Sequence, residues 1–393
     1  MTSTILVFIT LAGCSLFAVA LFALHKSIRG GAAQNPRIQP ISVLKPLCGA
    51  DDQLESNLRS FFEQDYPAFQ LIFGVEGSSD PAIKLVNKLA AEYASVPSKL
   101  VIHDGKKGIN PKVANLRAML DSVDHEVVLI SDSNVQAPSS YLRETVAVLG
   151  RERVGLVSNL FVGSDEDSLG ATMDNLHLNG HIAAGVGLSH HLPGPTLVVG
   201  KSMMFRRSEF ESLGGFESVA SVLAEDYIIG RMYQTAGYKV VLAPTILKNI
   251  NRSLTVGGFW RRHLRWAMLR TRLNPGLYLL EPLTSPLVWG VLAALAGAPV
   301  NLALFMGIFL CIARDAMFTG YLRGTAGLAR CLPYSPLKDG LVLAIWLTAP
   351  FKRHIAWRGH RVRISSGTRL FSEAPRYAQE PVVVNEVQLA SGI

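Results

Sequence analysis

The segment Ser3–Leu24 (STILVFITLAGCSLFAVALFAL) carries no charged residue over 22 positions. A helix rises about 1.5 Å per residue, so this stretch can cross a hydrocarbon core of ~30 Å. Any fold for the chain must either place these residues in lipid or bury all of them. A cleaved secretory leader has a basic start and a shorter apolar region. Here the basic residues His25, Lys26 and Arg29 come after the run, and the positive-inside bias keeps that end in the cytoplasm. Residues 1–25 are therefore expected to form an uncleaved transmembrane anchor.

The rest of the chain agrees with membrane attachment. Of 393 residues, 49% are hydrophobic and only 17% charged, and the mean hydropathy is +0.27. A second apolar zone, Leu283–Ala313, is broken at Gly297–Pro299 and reads as a tight helical hairpin or one kinked helix. A third, Gly340–Phe351, is short enough to be re-entrant or interfacial. Lys352, Arg353, Arg358, Arg361 and Arg363 follow it as a cytoplasmic shore. Residues 281–363 are thus expected to be a membrane region of a hairpin plus a short third segment, and 364–393 a loose tail. The net charge of +8 fits these juxtamembrane basic residues and does not by itself point to nucleic acid. Cys14 and Cys311 lie in apolar segments, and Cys48 and Cys331 stand alone, with no spacing for zinc or a disulfide framework.

Residues 38–280 read as a cytoplasmic catalytic domain. Short β-rich runs, Ile41–Lys45, Leu71–Val75, Leu100–His103, Glu126–Ser131 and Val154–Asn159, alternate with helical stretches at Gln53–Gln64, Pro81–Ala94, Val113–Leu120 and Ser139–Leu149. Nearly continuous apolar strands separated by helices mean an α/β sheet covered on both faces. Such sheets bind ligands outside the carboxyl ends of their strands. The first strand is followed by no GxGxxG, and no GxxxxGK[ST] occurs, which disfavours nicotinamide enzymes and P-loop NTPases.

The polar residues after the strands are then the candidates. Glu76 and Asp80 follow the second strand; a carboxylate there can hydrogen-bond a uracil edge or ribose hydroxyls. The segment GKKGINPKVANL after the third carries Lys112 and Asn115. The turn Asp132-Ser133-Asn134 after the fourth can hold a hard cation, Mg2+ or Mn2+, especially with substrate phosphates completing the shell. Each has a plainer reading: Asp132 as a turn or cap, and Asp80 before Pro81 as a helix start. In LAEDYIIGRM, Glu225 and Asp226 open a helix, either as favourable acids at its N-terminus or as a base that deprotonates an alcohol. In FWRRHLRW, Arg262 and Arg265 share a helix face and can grip a diphosphate, with Trp266 beside them to stack on a sugar or acceptor. A lipid-surface role accounts for its tryptophans.

Taken in order, this set resembles the ceramide glucosyltransferase family of inverting membrane glycosyltransferases. The resemblance rests on ISVLKPLCGAD (Ile41–Asp51), FFEQDYP (Phe61–Pro67), SDPAI (Ser79–Ile83), GINPKVANL (Gly108–Leu116), AEDY (Ala224–Tyr227), RHLRW (Arg262–Trp266) and EPLTSP (Glu281–Pro286), and spans roughly residues 40 to 365. It implies a type-A nucleotide-sugar domain, a Rossmann-like mixed sheet with helices on both faces, plus transmembrane helices at both ends. It implies Asp80 on the nucleotide side, Asp132 at the cation and phosphates, and Asp226 as catalytic base. Arg262, Arg265 and Trp266 would close on the pyrophosphate and acceptor, and Lys112 and Asn115 would lie beside the donor. The acidic turn departs from the pattern in lacking a second carboxylate, which puts the metal's identity in doubt. The segment Asp174–His191 aligns poorly; His181 is the candidate donor contact there, with a structural role as the alternative.

The expectation is therefore an inner-membrane, multi-pass hexosyltransferase that moves a hexose, glucose by the resemblance, from a UDP-sugar to the hydroxyl of a ceramide-like lipid. Its partners would be the UDP-sugar, the lipid acceptor and the bilayer, not nucleic acid. Rivals with the same residues are a transferase for another lipid, such as a hopanoid or diacylglycerol, and a polysaccharide synthase, which would need more transmembrane helices. A non-enzymatic membrane scaffold with a degenerate transferase domain is the rival from another class.

Overall fold

The computed structural model describes residues 2–30, 38–105, 109–357 and 360–372. The strands of the central sheet are β1 (Ile41–Pro46), β2 (Phe69–Glu76), β3 (Ser98–His103), β4 (Val127–Ser131), β5 (Val135–Gln136), β6 (Val154–Ser164), β7 (Ser202–Arg206) and β8 (Lys239–Ile250), in the order β3-β2-β1-β4-β7-β6-β8-β5. β3, β2, β1 and β4 are parallel; β7 runs antiparallel to both β4 and β6. All residues of β1, β4 and β6 are buried, because helices cover both faces. Val43, Leu71 and Leu129 look toward one core, and their neighbours Leu44, Ile72 and Ile130 toward the other, as the two-residue period of a strand requires. The result is the mixed sheet expected.

The helices in chain order are α1 (Thr2–Arg29), α2 (Leu54–Phe62), α3 (Ala82–Glu92), α4 (Pro111–Met119), α5 (Tyr141–Leu149), α6 (Leu169–His177), α7 (Ala183–Ser189), α8 (Arg207–Ser212), α9 (Glu225–Thr235), α10 (Val256–Leu273), α11 (Pro275–Leu280), α12 (Pro286–Leu295), α13 (Val300–Arg323), α14 (Leu328–Cys331) and α15 (Ser335–Thr348). A π-helical turn, Leu178–Ile182, joins α6 to α7. The helices expected at residues 53–64, 81–94, 113–120 and 139–149 are α2, α3, α4 and α5, each with slightly different ends.

Among the described residues, Leu6–Arg29 and Val300–Arg323 are long and apolar enough to cross a membrane. Pro275–Thr284 and Pro286–Leu295 form a further apolar pair bent by 78°. The apolar zone Leu283–Ala313 is a hairpin: α12 and α13 break at residues 296–299 and pack closely. A Cβ on Gly290 would lie 2.7 Å from the Ala303 carbonyl oxygen, and one on Gly307 3.0 Å from that of Pro286. Small residues that let two backbones approach are how helices pack where lipid leaves no hydrophobic drive between them. α1 joins the hairpin, with Phe17 stacked on Trp289 at 5.8 Å. α15, with 14 residues, reaches only about 21 Å and is too short to span alone.

A second sheet, β9 (His354–Trp357), β10 (His360–Ile364) and β11 (Leu370–Ser372), follows α15. The tail expected from residue 364 is thus structured as far as Ser372, and the Leu370 N–H donates to the Ser221 carbonyl at 2.7 Å. The remainder, 373–393, and Arg358 lie outside the described residues.

Candidate active site

Ser131 at the end of β4 pairs with Ser202 at the start of β7. This antiparallel register sets Asp132 beside Gly200 and Lys201. Three ammonium groups converge on Asp132. Lys112 Nζ lies 3.0 Å from Oδ1 and Lys201 Nζ 3.5 Å from Oδ2, while Lys45 Nζ donates to the Asp132 carbonyl at 2.7 Å. Lys45 is wholly buried at the end of β1, with its ammonium 3.6 Å from the Phe61 ring centroid.

Lys112 reaches this point because α4 starts where it does. The Asn110 side chain accepts from the N–H groups of Lys112 and Val113 at 3.0 and 3.2 Å, and Pro111 occupies the first helical position, a strong helix start. Lys112 Nζ also lies 3.1 Å from Glu225 Oε1 and donates to the Gly200 carbonyl at 2.9 Å. Burial alone would lower its pKa, but Asp132, Glu225 and Asp226 together hold it above the usual lysine range.

Asp226, in the first turn of α9, accepts from the Gly200 N–H through Oδ2 at 2.9 Å. A Cβ on Gly200 would stand 2.6 Å from that oxygen, so only glycine permits this approach. Burial, reinforced by the charge of Glu225, pushes the Asp226 carboxyl up to about 6, against the pull of Lys112 and the two N–H donors. Glu225 is buried and also meets Asn110 Nδ2 at 3.4 Å. Burial pushes the Lys201 ammonium down to about 8, with Asp132 opposing the fall.

Four of the residues expected from sequence, Lys112, Asp132, Glu225 and Asp226, thus form one cluster. Two others hold backbone near it. Asn115 Nδ2 donates to the carbonyls of Leu47 and Gly74 at 3.2 and 2.9 Å, tying α4 to the ends of β1 and β2. Asp80 accepts from the Gly49 N–H at 2.9 Å and the Ala82 N–H at 2.8 Å, so it both starts α3 and fixes the loop after β1. Glu76 ends β2 exposed, packed against Gly105, where a Cβ would lie 2.3 Å from Oε1.

α10, capped by the Thr255 hydroxyl on the Gly258 N–H at 3.0 Å, carries the basic stretch. Arg262 Nη1 lies 2.9 Å from Oδ2 of Asp174, and His263 Nε2 2.9 Å from its Oδ1; Asp174 is fully buried. Burial holds His263 below the usual histidine range against the pull of Asp174, and because a carboxylate only accepts, its Nε2–H donates. The Arg262 guanidinium lies 5.2 Å from the Trp266 ring centroid. Arg265 and Trp266 are half-buried, while Arg261 is exposed. A hydrogen-bonded chain joins this group to the lysine cluster. Lys201 donates to Asn134 Oδ1 at 2.7 Å, Asn134 to Asn251 at 3.1 Å, and Asn251 to Asp174 at 3.2 Å. His181 sits away from the cluster: its ring stacks on His177 at 5.0 Å, and both line a cavity against α13 and α15.

Sequence reasoning passed over Lys45, Gly200, Lys201 and Asp174 as site residues. The available signal was chemical mismatch: Lys45 ends an otherwise apolar strand, and Gly200-Lys201 precedes another.

Among the described residues, no group of three or more His, Cys, Asp or Glu side chains gathers as a metal cage. Asp132 is the one carboxylate of its turn, and Asn134 is already engaged by Lys201. This donor set suits a hard cation such as Mg2+ only where substrate phosphates supply further oxygens, a mode that needs just one or two protein carboxylates.

Residues 5–370 match the family described as Glycosyl transferase family 21. The chain is 27% identical over 372 residues to Ceramide glucosyltransferase 1 of Caenorhabditis elegans, covering 90% of this chain and 77% of that protein. It is 24% identical over 424 residues to the Ceramide glucosyltransferase of Komagataella phaffii, covering 84% and 83% respectively. Among solved structures it is similar to the mannosyltransferase PcManGT from Pyrobaculum calidifontis in complex with GDP-Man and Mn2+. That likeness has a TM-score of 0.48 and 17% identity, covering 89% of this chain and 99% of that one.

Proposed function

We propose, from the premise that this chain belongs to glycosyl transferase family 21, that it moves a hexose from a UDP-sugar to a ceramide-like lipid with inversion. The carrying observation is the seating of Asp226: buried, fixed by the Gly200 N–H, and raised into the range where a carboxylate works as a base near neutral pH. The acceptor hydroxyl would attack the anomeric carbon from the face opposite the diphosphate. The bond from that carbon to the diphosphate oxygen breaks as the new one forms, and the hydroxyl proton passes to Asp226.

The leaving diphosphate needs positive charge. Lys112 and Lys201 already stand at Asp132 and would turn to the phosphates as the donor arrives, with Arg265 and Trp266 on the acceptor side. A divalent cation, Mg2+ or Mn2+, held by Asp132 and the donor's oxygens, would add to the neutralisation of the leaving group. Lys112 bridges Asp132 and Glu225, so it would hold the two halves of the site in register. Asp80 and Asn115 would shape the nucleotide side through the backbone they fix, with Glu76 beside them at the end of β2.

We place the catalytic domain on the cytoplasmic face of the inner membrane, since Lys26 and Arg29 close α1. The relatives named as ceramide glucosyltransferases support glucose and ceramide as first choices. Membranes containing the protein are incubated with a panel of UDP-sugars and lipid extract, and products are read by mass spectrometry. A hexosylceramide formed only with UDP-glucose is expected. Transfer to sterol-like or glycerol lipids alone, or to a growing polysaccharide, would replace this reading with a rival.

A further inference from the structure

α9 opens without a capping side chain. Its N-cap is Ala224, among the poorer residues for that position, yet its first turn carries Glu225 and Asp226. The start of this helix is held instead by the loop before it, residues 220–223, which is gripped from two sides.

From one side the grip comes from the C-terminal sheet. The Leu370 N–H donates to the Ser221 carbonyl at 2.7 Å, and the Leu223 N–H donates to the Thr368 carbonyl at 3.0 Å, with Val222 and Arg369 paired antiparallel between them. The turn that presents these atoms is strained. Thr368 is fully buried at φ 59°, next to Gly367 at 62°. A β-branched residue rarely adopts that region, and such strain persists only where the surroundings over-determine it.

From the other side the grip is Asn110, fully buried at the start of α4. Its own N–H donates to the Ala220 carbonyl at 3.1 Å. Its Nδ2 donates to the Val222 carbonyl at 2.7 Å and to Glu225 Oε2 at 3.4 Å, while Oδ1 accepts from the N–H groups of Lys112 and Val113. A side-chain amide has two N–H donors and two acceptor lone pairs, and here all four are used. Capping α4 takes only the oxygen, which Ser or Asp could supply equally well. The nitrogen does nothing for α4; both of its bonds go to the loop and the acid that open α9. One amide thus ties the helix start that aims Lys112 to the turn that carries Asp226.

We infer that Asn110 is a positioning residue for the transfer: through Nδ2 it sets the turn of Glu225 and Asp226 against Lys112 and the Gly200 N–H. The inference rests on the reading of Asp226 as the base and adds the group that seats it.

The test uses the full chain in nanodiscs, with UDP-glucose and a short-chain ceramide. Asn110→Ser keeps a capping oxygen and removes Nδ2. Asn110→Asp keeps the size and the cap and turns Nδ2 into an oxygen that cannot donate at neutral pH. Asn274→Ser, at the exposed cap of α11, is the control. Donor affinity and the number of donor sites are measured by calorimetry, stability by thermal melting, and kcat is expressed per donor site so that misfolded protein does not count. Both Asn110 variants are expected to lose about tenfold to a hundredfold in kcat, the scale of a reacting group displaced by up to ~1 Å. Their UDP-glucose KM and affinity should stay at the wild-type values, and Asn274→Ser should match the wild type throughout. Wild-type kcat per donor site in either Asn110 variant overturns the inference. Should Asn110→Ser bind no UDP-glucose, Asn110→Asp decides, and if that variant also binds none, Asn110 serves the fold alone and the inference falls. Turnover lost in Asn110→Ser but retained in Asp226→Asn upholds Asn110 as the seat of the acidic turn and sinks the reading of Asp226 as the base instead.

Discussion

Replacing Gly200 by alanine puts a methyl group where the Asp226 carboxylate rests. The new carbon would lie 2.6 Å from Oδ2, 2.9 Å from Cβ and 3.0 Å from Cγ of Asp226, against an ordinary contact that begins at 3.4 Å. The carboxylate oxygen must therefore retreat by 3.4 − 2.6 = 0.8 Å, and its bond from the Gly200 N–H is strained with it. A misplacement of ~1 Å in a reacting group costs on the order of a hundredfold in rate. Overpacking of this kind costs about 1–3 kcal/mol of stability, which a folded enzyme can absorb. Gly200→Ala should then keep its UDP-sugar affinity within a few-fold, since Lys112 still bonds the Gly200 carbonyl, while kcat for lipid glycosylation drops about a hundredfold. Gly185→Ala is the control, because nothing lies within 4 Å of a Cβ there. Purified variants are compared by kcat, donor affinity and thermal melting. A Gly200→Ala enzyme with kcat near that of Gly185→Ala would refute the placement of Asp226 as the group that meets the acceptor.

Other consequences follow from the charges. Asp226 must be deprotonated to act, so kcat/KM for the donor should fall tenfold per pH unit below about 6, where burial and Glu225 have moved it. Lys201 must be protonated to meet a diphosphate, so the same profile should fall above about 8, and Lys201→Arg should remove that alkaline limb; a flat profile from pH 5 to 9 contradicts both roles. Chelation should suppress transfer and Mg2+ or Mn2+ restore it, with Asp132→Ala weakening UDP binding in the presence of cation; full activity in excess EDTA removes the metal from the account. Arg262→Ala leaves the buried Asp174 without its guanidinium and should cost about 3 kcal/mol in unfolding experiments, whereas the exposed Arg261→Ala should cost almost nothing; equal effects would mean that the Asp174 pair does not hold α10.

Strands β1 to β4 and β6 were legible because they are nearly pure apolar runs with helices alternating between them, whereas β5, β7 and β8 were not read. The acids after β2 and β4, and the pair opening α9, stood out for being polar at strand and helix ends. What could not be read was who meets whom across the chain. Arg262 looked like a phosphate ligand, yet its partner Asp174 is 88 residues away, and no periodicity reports a contact at that separation. Lys45 and Lys201 were passed over for a related reason: a lysine at a strand end reads as solvent-facing until Asp132, which both meet, is known to lie beside it. The break at residues 296–299 was visible as Gly297–Pro299. The hairpin it makes depends on the close approach of Gly290 and Gly307, which composition cannot distinguish from one kinked helix. His181 was expected near the donor from its segment alone, and the π turn that carries it to the cavity against α13 and α15 has no sequence signature.

The central claim is that Asp226 accepts the proton of the lipid hydroxyl, and Asp226→Asn tests it most directly. Asparagine can still accept the Gly200 N–H and start α9, and it is itself a good helix cap. It cannot take a proton, and a general base contributes a factor of ~10² to 10⁴. UDP-sugar affinity and hexose transfer to ceramide are measured side by side on the same membrane preparation. Near-normal affinity with turnover reduced at least about a hundredfold is the expected result. Retained turnover would make Asp226 a structural carboxylate and pass the role of base to Glu225.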